Sequence, residues 1–296
     1  AYKYARDGSG KFQETEVPAE CKDAAEQMRE KLIEMVAEGS DALMEKFFAE
    51  GTLEQSDLIA GLKASVAQRN IFPVLCTSAT SNIGIAQLLD AIVDLLPSPA
   101  DIGKATGIDP KSKESVERKI TSQEPYSAYV FKTIADPFAG RISLVRLYSG
   151  VMRSDTTYYN QTKGKNEKLG PLQLLQGKSM VPVGEVHAGD FFAVTKLRET
   201  ATGDTLCDPA HPVVFSTVEV PEPSITFAIE PKSRGDEDKI SNALARILEE
   251  DAAIRYNRDA QTKQLLLSGS GQLHLEVTVA KLRKRYGVEV ILKTPK

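Results

Sequence analysis

The chain has 296 residues, a formal net charge of −4 and 26% charged residues. That length allows two or three globular domains, and the charge excludes a generally basic nucleic-acid coat, so any RNA contact has to be a local patch. Cys21, Cys76 and Cys207 are odd in number and far apart, with no C-x-x-C pair, which argues against a disulfide framework or a zinc site and fits a reduced, cytoplasmic protein.

Residues 1–16 read as polar strands around an Asp7-Gly8-Ser9-Gly10 turn. From Pro18 to Glu50 a helix is expected, with Met28, Leu32, Met35 and Val36 at helical spacing; Gly51 interrupts it. Thr52 with Gln55 reads as a capping box for a second helix over 54–69. The apolar run Ile71-Phe72-Pro73-Val74-Leu75-Cys76 then predicts a buried strand, ending at the loop Thr77-Ser78-Ala79. Ile85, Leu88, Leu89, Ile92, Leu95 and Leu96 make one apolar helical stripe, closed by Pro97-Ser98-Pro99. No apolar run approaches the roughly 18 residues of a membrane span, and no signal peptide opens the chain.

Residues 100–124 are polar and read as a linker or a long surface crossing. From 125 to 221, β-branched and aromatic runs alternate with glycine turns: Ala128–Thr133, Arg141–Tyr148, Thr156–Asn160, Leu172–Leu175, Phe191–Thr195 and Val213–Val218. This spacing predicts a small β-barrel or sandwich. Residues 222–296 give the order βαββαβ of a ferredoxin-like split sheet, with helices around 240–248 and 271–286. The fold class is therefore multidomain α and β, divided as 1–99, 100–124, 125–221 and 222–296. Ala1 stands where a start Met would be, and the last residues follow a strand-like run, so the chain reads as part of a longer protein.

No self-sufficient catalytic constellation emerges. A phosphate loop needs G-x-x-x-x-G-K-[ST]; Gly177-Lys178-Ser179 supplies only the tail of that pattern, in barrel-like surroundings, and reads as a polar turn. No Asn-Lys-x-Asp occurs, and the three histidines do not cluster, so no metal site is expected. Ser78-Ala79 is either a plain strand-to-helix turn or a loop presenting backbone N–H groups to a purine. On the last helix, Leu275, Val279, Leu282 and Tyr286 fall within about 60° of one another and must be buried. His274, Lys281 and Arg285 share another side, with Lys284 nearby. Lys163, Lys165 and Lys168 form a second basic group. Each basic group is either a solvated face or an RNA-phosphate contact.

Four stretches carry a resemblance to bacterial translation elongation factor G. Residues 73–99, PVLCTSATSNIGIAQLLDAIVDLLPSP, resemble its guanine loop and closing helix. DPFAGRISLVRLYSG (136–150), NQTKGK (160–165), AGDFFA (188–193) and TATGDTLCD (200–208) resemble its barrel. SGSGQLHLEV (268–277) resembles the opening of its third domain's second helix, and the acidic stretch 17–50 is similar to an insert in its GTPase domain. The resemblance implies a partial α/β GTPase domain with a helical insert, a β-barrel and a ferredoxin-like domain. It assigns Ser78 and Ala79 to base contacts. It also implies a parent that binds GTP and Mg, hydrolyses GTP on the ribosome and drives tRNA and mRNA movement. This chain alone, lacking the phosphate loop, is expected to be monomeric, to hold neither cofactor and to hydrolyse no GTP. Gly269-Ser270-Gly271-Gln272, where the family usually has Gly-Met-Gly-Glu, and Thr77, where it usually has Gly, leave a divergent paralogue as the alternative: a ribosome-protection or other ribosome-binding factor.

Overall fold

Tyr2–Tyr4 (β1) and Phe12–Glu14 (β2) pair antiparallel across the expected turn. Asp7 Oδ1 accepts the Ser9 N–H at 2.9 Å, and Gly8 and Gly10 take left-handed φ of 75° and 73°. In this computed structural model residues 1–136, 140–177, 179–232, 235 and 237–296 are described, Glu237 by its backbone alone. Parts of the family-like stretch 136–150 and of the Gly177-Lys178-Ser179 turn therefore lie outside the described residues. The chain forms two units, Ala1–Asp101 and Ile102–Lys296.

In the first unit the single helix expected over 18–50 is two, α1 (Ala19–Ala37) and α2 (Asp41–Glu50). The break falls at Gly39, where a Cβ would sit 2.7 Å from Ser65 Oγ on the helix that follows, α3 (Gln55–Ala67). Close helix packing therefore sets the boundary. Ile33, Val36 and Ala37 of α1 pack with Leu53, Leu58 and Ile71, while Met28 and Met35 are exposed. The buried stripe is thus displaced from the one that the methionines suggest. Gly51 closes α2 at φ 70°. The capping box at Thr52 does not form: α3 starts after Glu54 without a side-chain cap.

Residues 72–76 are not a strand. Phe72 is 74% and Val74 90% exposed, and among the described residues no strand pairs with this run. A strand needs backbone partners, and an apolar pattern cannot supply them. The helix after it, α4 (Ile85–Leu95), has no buried residue. A short turn, α5 (Pro99–Ile102), follows; the Ser98 N–H donates to Asp101 Oδ2 at 2.9 Å.

The second unit begins where the composition predicts a linker. β3 (Lys104–Ile108) and β4 (Ser115–Lys119) form an antiparallel hairpin. Ala105 packs with Tyr129, Cys207, Val213 and Phe215. The expected strand over 213–218 is not formed: among the described residues this run has one isolated bridge, Val214 to Ile108, and Val218 is exposed. The polar composition of 100–124 hid this hairpin because only one of its faces is covered.

The barrel comprises β5 (Ser127–Asp136), β6 (Gly140–Ser149), β7 (Val151–Arg153), β8 (Thr157–Asn160), β9 (Lys165–Lys168), β10 (Leu172–Gln176), β11 (Ser179–Val183), β12 (Glu185–His187), β13 (Phe191–Thr195) and β14 (Thr205–Cys207). Eight of these run in the order β11-β10-β13-β6-β5-β14-β8-β9, and β7 pairs with β12. Ala128, Val130, Val145, Leu147, Met152, Leu172, Phe192, Val194 and Leu206 alternate inward to one core. Burying each large aliphatic side chain contributes about 1.5–3 kcal/mol.

The third domain has β15 (Ile225–Pro231), α6 (Glu237–Glu250), β16 (Arg255–Arg258), β17 (Leu265–Gly269), α7 (Gln272–Tyr286) and β18 (Val290–Lys293). The antiparallel sheet order β16-β17-β15-β18 is the ferredoxin-like arrangement expected of βαββαβ. Ile240, Leu244 and Ile247 of α6 and Leu275 and Leu282 of α7 fill its core, with Val279 half-buried and Tyr286 packed at its margin.

Candidate functional site

The Ser78 loop is tied by its own backbone. The Ser78 N–H donates to the Ile83 carbonyl at 2.9 Å, and the Ile83 N–H returns to Ser78 O at 3.0 Å. Asn82 (φ 52°) and Gly84 (φ 71°) turn the chain into α4; a Cβ at Gly84 would lie 3.0 Å from the Cys76 carbonyl. Ser78 therefore spends its N–H inside the loop, and Ala79 stands exposed at its tip. Among the described residues no group of three His, Cys, Asp or Glu side chains could hold a metal ion.

The barrel's basic loop is the β8–β9 turn. Gly164 (φ 67°) closes it, and the Lys163 N–H donates to Asn160 Oδ1 at 3.0 Å. Asn160 is buried and donates to Asp204 Oδ2 (3.0 Å) and Thr200 Oγ1 (3.1 Å). Buried Glu167 accepts the N–H groups of Arg198, Glu199 and Thr200 at 2.8–3.1 Å. These bonds lay the 198–204 segment beside the lysines. Lys163 Nζ comes within 3.9 Å of Asp204, and Lys165 Nζ within 2.6 Å of Glu199. The Lys165 hydrogen bond and charge hold the Glu199 carboxyl below its usual range. Both lysines already have a carboxylate to leave before they can take a phosphate.

The basic side of α7 divides in two. Helix α6 ends in Glu249 and Glu250, followed by Asp251, with no basic residue in its last turn. Acids there oppose the helix dipole, so each needs a cation from elsewhere. Arg141 of β6 takes Glu249 through two hydrogen bonds. Arg285 takes both oxygens of Glu250 at 3.0 Å, and Glu250 also accepts the Ala135 N–H at 3.2 Å. His274 Nδ1 accepts the Ser270 N–H at 3.2 Å, which leaves the ring proton on Nε2 to meet Asp251 at 2.9 Å. His274 and Arg285 are therefore committed inside the molecule. Lys284 is exposed and Lys281 half-buried, and neither has a recorded partner among the described residues. The sequence reading named the four basic groups and missed the acids that claim two of them. An acidic run at a helix C-terminus was the available signal.

The SGSGQ stretch has a steric reason. A Cβ at Gly269 would lie 2.8 Å from Leu275 Cδ2 and 3.0 Å from His274 Nδ1, so glycine lets β17 approach α7. Gln272 Nε2 donates to Glu276 at 2.8 Å in the first turn.

Residues 125–209 match the family model for elongation factor G domain 2, and residues 220–294 match that for elongation factor G domain III. The chain belongs to the elongation factor G-like family. It is similar over its whole length to the crystal structure of a protein from Thermus thermophilus, with 30% identity and a TM-score of 0.82, and it spans 41% of that chain's length. This elongation factor G-like chain is thus a member of a translation elongation factor family, with its barrel and ferredoxin-like domain in that family's order. Among the described residues no helix is long and apolar enough to cross a membrane.

Proposed function

We propose that this chain is the base-side end of the GTPase domain, the barrel and the third domain of a cytoplasmic translational GTPase that moves tRNA and mRNA through the ribosome. The observation that carries this reading is the succession of elongation factor G domains 2 and III, matched in that order along the chain. In this reading GTP and Mg are held by parts of the parent outside this chain, with Ala79 touching the base, and the ribosome is the partner. Lys281 and Lys284 are the α7 cations able to meet ribosomal RNA; Lys163, Lys165, His274 and Arg285 must first give up a carboxylate. A divergent ribosome-protection factor is the second reading, and Ser270 and Gln272 in the opening of α7 favour it.

The test is a single-turnover translocation assay with the full-length parent, together with ribosome affinity against salt for Lys281→Ala/Lys284→Ala. GTP-dependent advance of mRNA is expected, and the double variant should flatten the salt slope by about two counterions. A parent that binds ribosomes without advancing mRNA would overturn translocation in favour of the second reading. An unchanged slope would remove the lysines from the interface.

A further inference from the structure

On the outer face of the barrel sheet, Arg146 stands between two rings. Its neighbours Val145 and Leu147 point inward to the core, so Arg146 points out. The guanidinium carbon lies 5.1 Å from the Tyr148 ring centre and 5.2 Å from that of Phe191, its register partner on β13. Phe191 in turn meets Phe131 edge-on at 5.5 Å. Tyr148 is covered by Phe215, whereas Phe191 and Phe131 are 56% and 41% exposed. Lys132, exposed, pairs in register with Leu144, two residues before Arg146, and so opens on the same face.

Arg146 faces rings where several other arginines of the unit face acids. Arg141, Arg153 and Arg285 each face a glutamate. For Arg146 the rings are the recorded neighbours among the described residues, and its Nε–H is sealed from water with no hydrogen-bond partner. The carboxylate next in sequence to Phe191, that of Asp190, is occupied by the His187 N–H at 2.9 Å. A guanidinium held against aromatic faces still offers a planar fork of N–H donors, which suits an oxyanion. Exposed rings beside it suit a flat apolar body. A nucleotide carries both within one residue: a base to stack and a phosphate to bind.

We propose that Phe131, Phe191 and Arg146, with Lys132, form a contact for single-stranded RNA, in which bases stack on the phenylalanines and a phosphate meets Arg146. The choice of RNA rests on the ribosomal reading above. The contact lies on the barrel sheet, apart from the α7 lysines, so the two can fail separately. It also suits a chain of net charge −4, because stacking supplies affinity that does not depend on a generally basic surface.

The test uses the 296-residue chain and fluorescent single-stranded oligoadenylate and oligouridylate, followed by anisotropy across a salt series. Binding is expected at low salt. Phe191→Leu, which keeps apolar bulk and removes the ring, should weaken it at least about fivefold with an unchanged melting temperature. Arg146→Lys should weaken it at constant salt slope, and Arg146→Gln should reduce the slope by about 0.7. Absence of binding at low salt, or equal binding by Phe191→Leu, overturns the proposal even if the parent binds ribosomes normally. Equal competition by polyglutamate would mark the face as a site for an acidic protein segment and would overturn it too.

Discussion

Helices α4 and α6 carry nearly the same apolar spacing and meet opposite fates. Ile85, Leu88, Leu89 and Ile92 repeat the intervals of Ile240, Ala243, Leu244 and Ile247. In α6 Ile240, Leu244 and Ile247 are fully buried against a four-stranded sheet and α7. In α4 no residue is buried, and Leu89 and Ile92 are exposed. Periodicity therefore states which face of a helix seeks cover; it is silent on whether a partner exists. The run before α4 teaches the same lesson, since Phe72-Pro73-Val74-Leu75 is as apolar as a core strand and has no strand partner among the described residues.

Hydrogen exchange offers the largest contrast. Amides of 71–76 and α4 should exchange at least about a thousandfold faster than those of α6, β5 and β6, because local opening of α4 exposes little apolar surface that is not already exposed. Matching protection in α4 and α6 would break the comparison.

Core truncation sharpens it. Leu244→Ala should cost about 2–5 kcal/mol in denaturant titrations that follow the third domain, through lost burial and the cavity left behind. Leu89→Ala should fall within about 0.5 kcal/mol. A large loss for Leu89→Ala would show that the α4 stripe is covered after all.

The smallest effect is chemical. Cys21 and Cys76 of the first unit are exposed, whereas Cys207 is buried beside Phe215, and burial pushes its thiol above the usual range. Because the thiolate is the nucleophile, alkylation in mildly alkaline buffer should modify Cys21 and Cys76 quickly and Cys207 only after unfolding. Mass spectrometry showing rapid modification at Cys207 would mean that the β3–β4 cover over the barrel opens readily.

The candidate site divides along the same line. Lys163, Lys165, His274, Lys281, Lys284 and Arg285 were all visible as cations in the sequence, and the geometry separates them. Glu199, Asp204, Asp251 and Glu250 engage four of them. Those acids lie tens of residues away along the chain, in the case of Lys163 on a segment near the other end of the barrel sequence, so no local pattern pairs them. The stack at Arg146 escaped for the same reason: Phe131, Arg146, Tyr148 and Phe191 meet only through the register of β5, β6 and β13.

What the amino-acid order determined by itself is what short-range physics determines. Alternation marked five of the ten barrel strands (β5, β6, β8, β10 and β13) and wrongly added 213–218; the 3.6-residue period marked α4, α6 and the Leu275–Leu282 side of α7, and glycine marked the turns at Gly10, Gly51 and Gly164. The order of elements was enough for the ferredoxin-like domain, since βαββαβ has few ways to close. The tertiary structure alone decided that 104–119 pairs into a hairpin, that 72–76 has no strand partner among the described residues, that Gly39 splits a helix against Ser65, and which of the candidate cations meet an acid. Each of these depends on a partner distant in sequence. Backbone hydrogen bonds, close packing and ion pairs are two-body conditions, and a run of residues can state only one side of them.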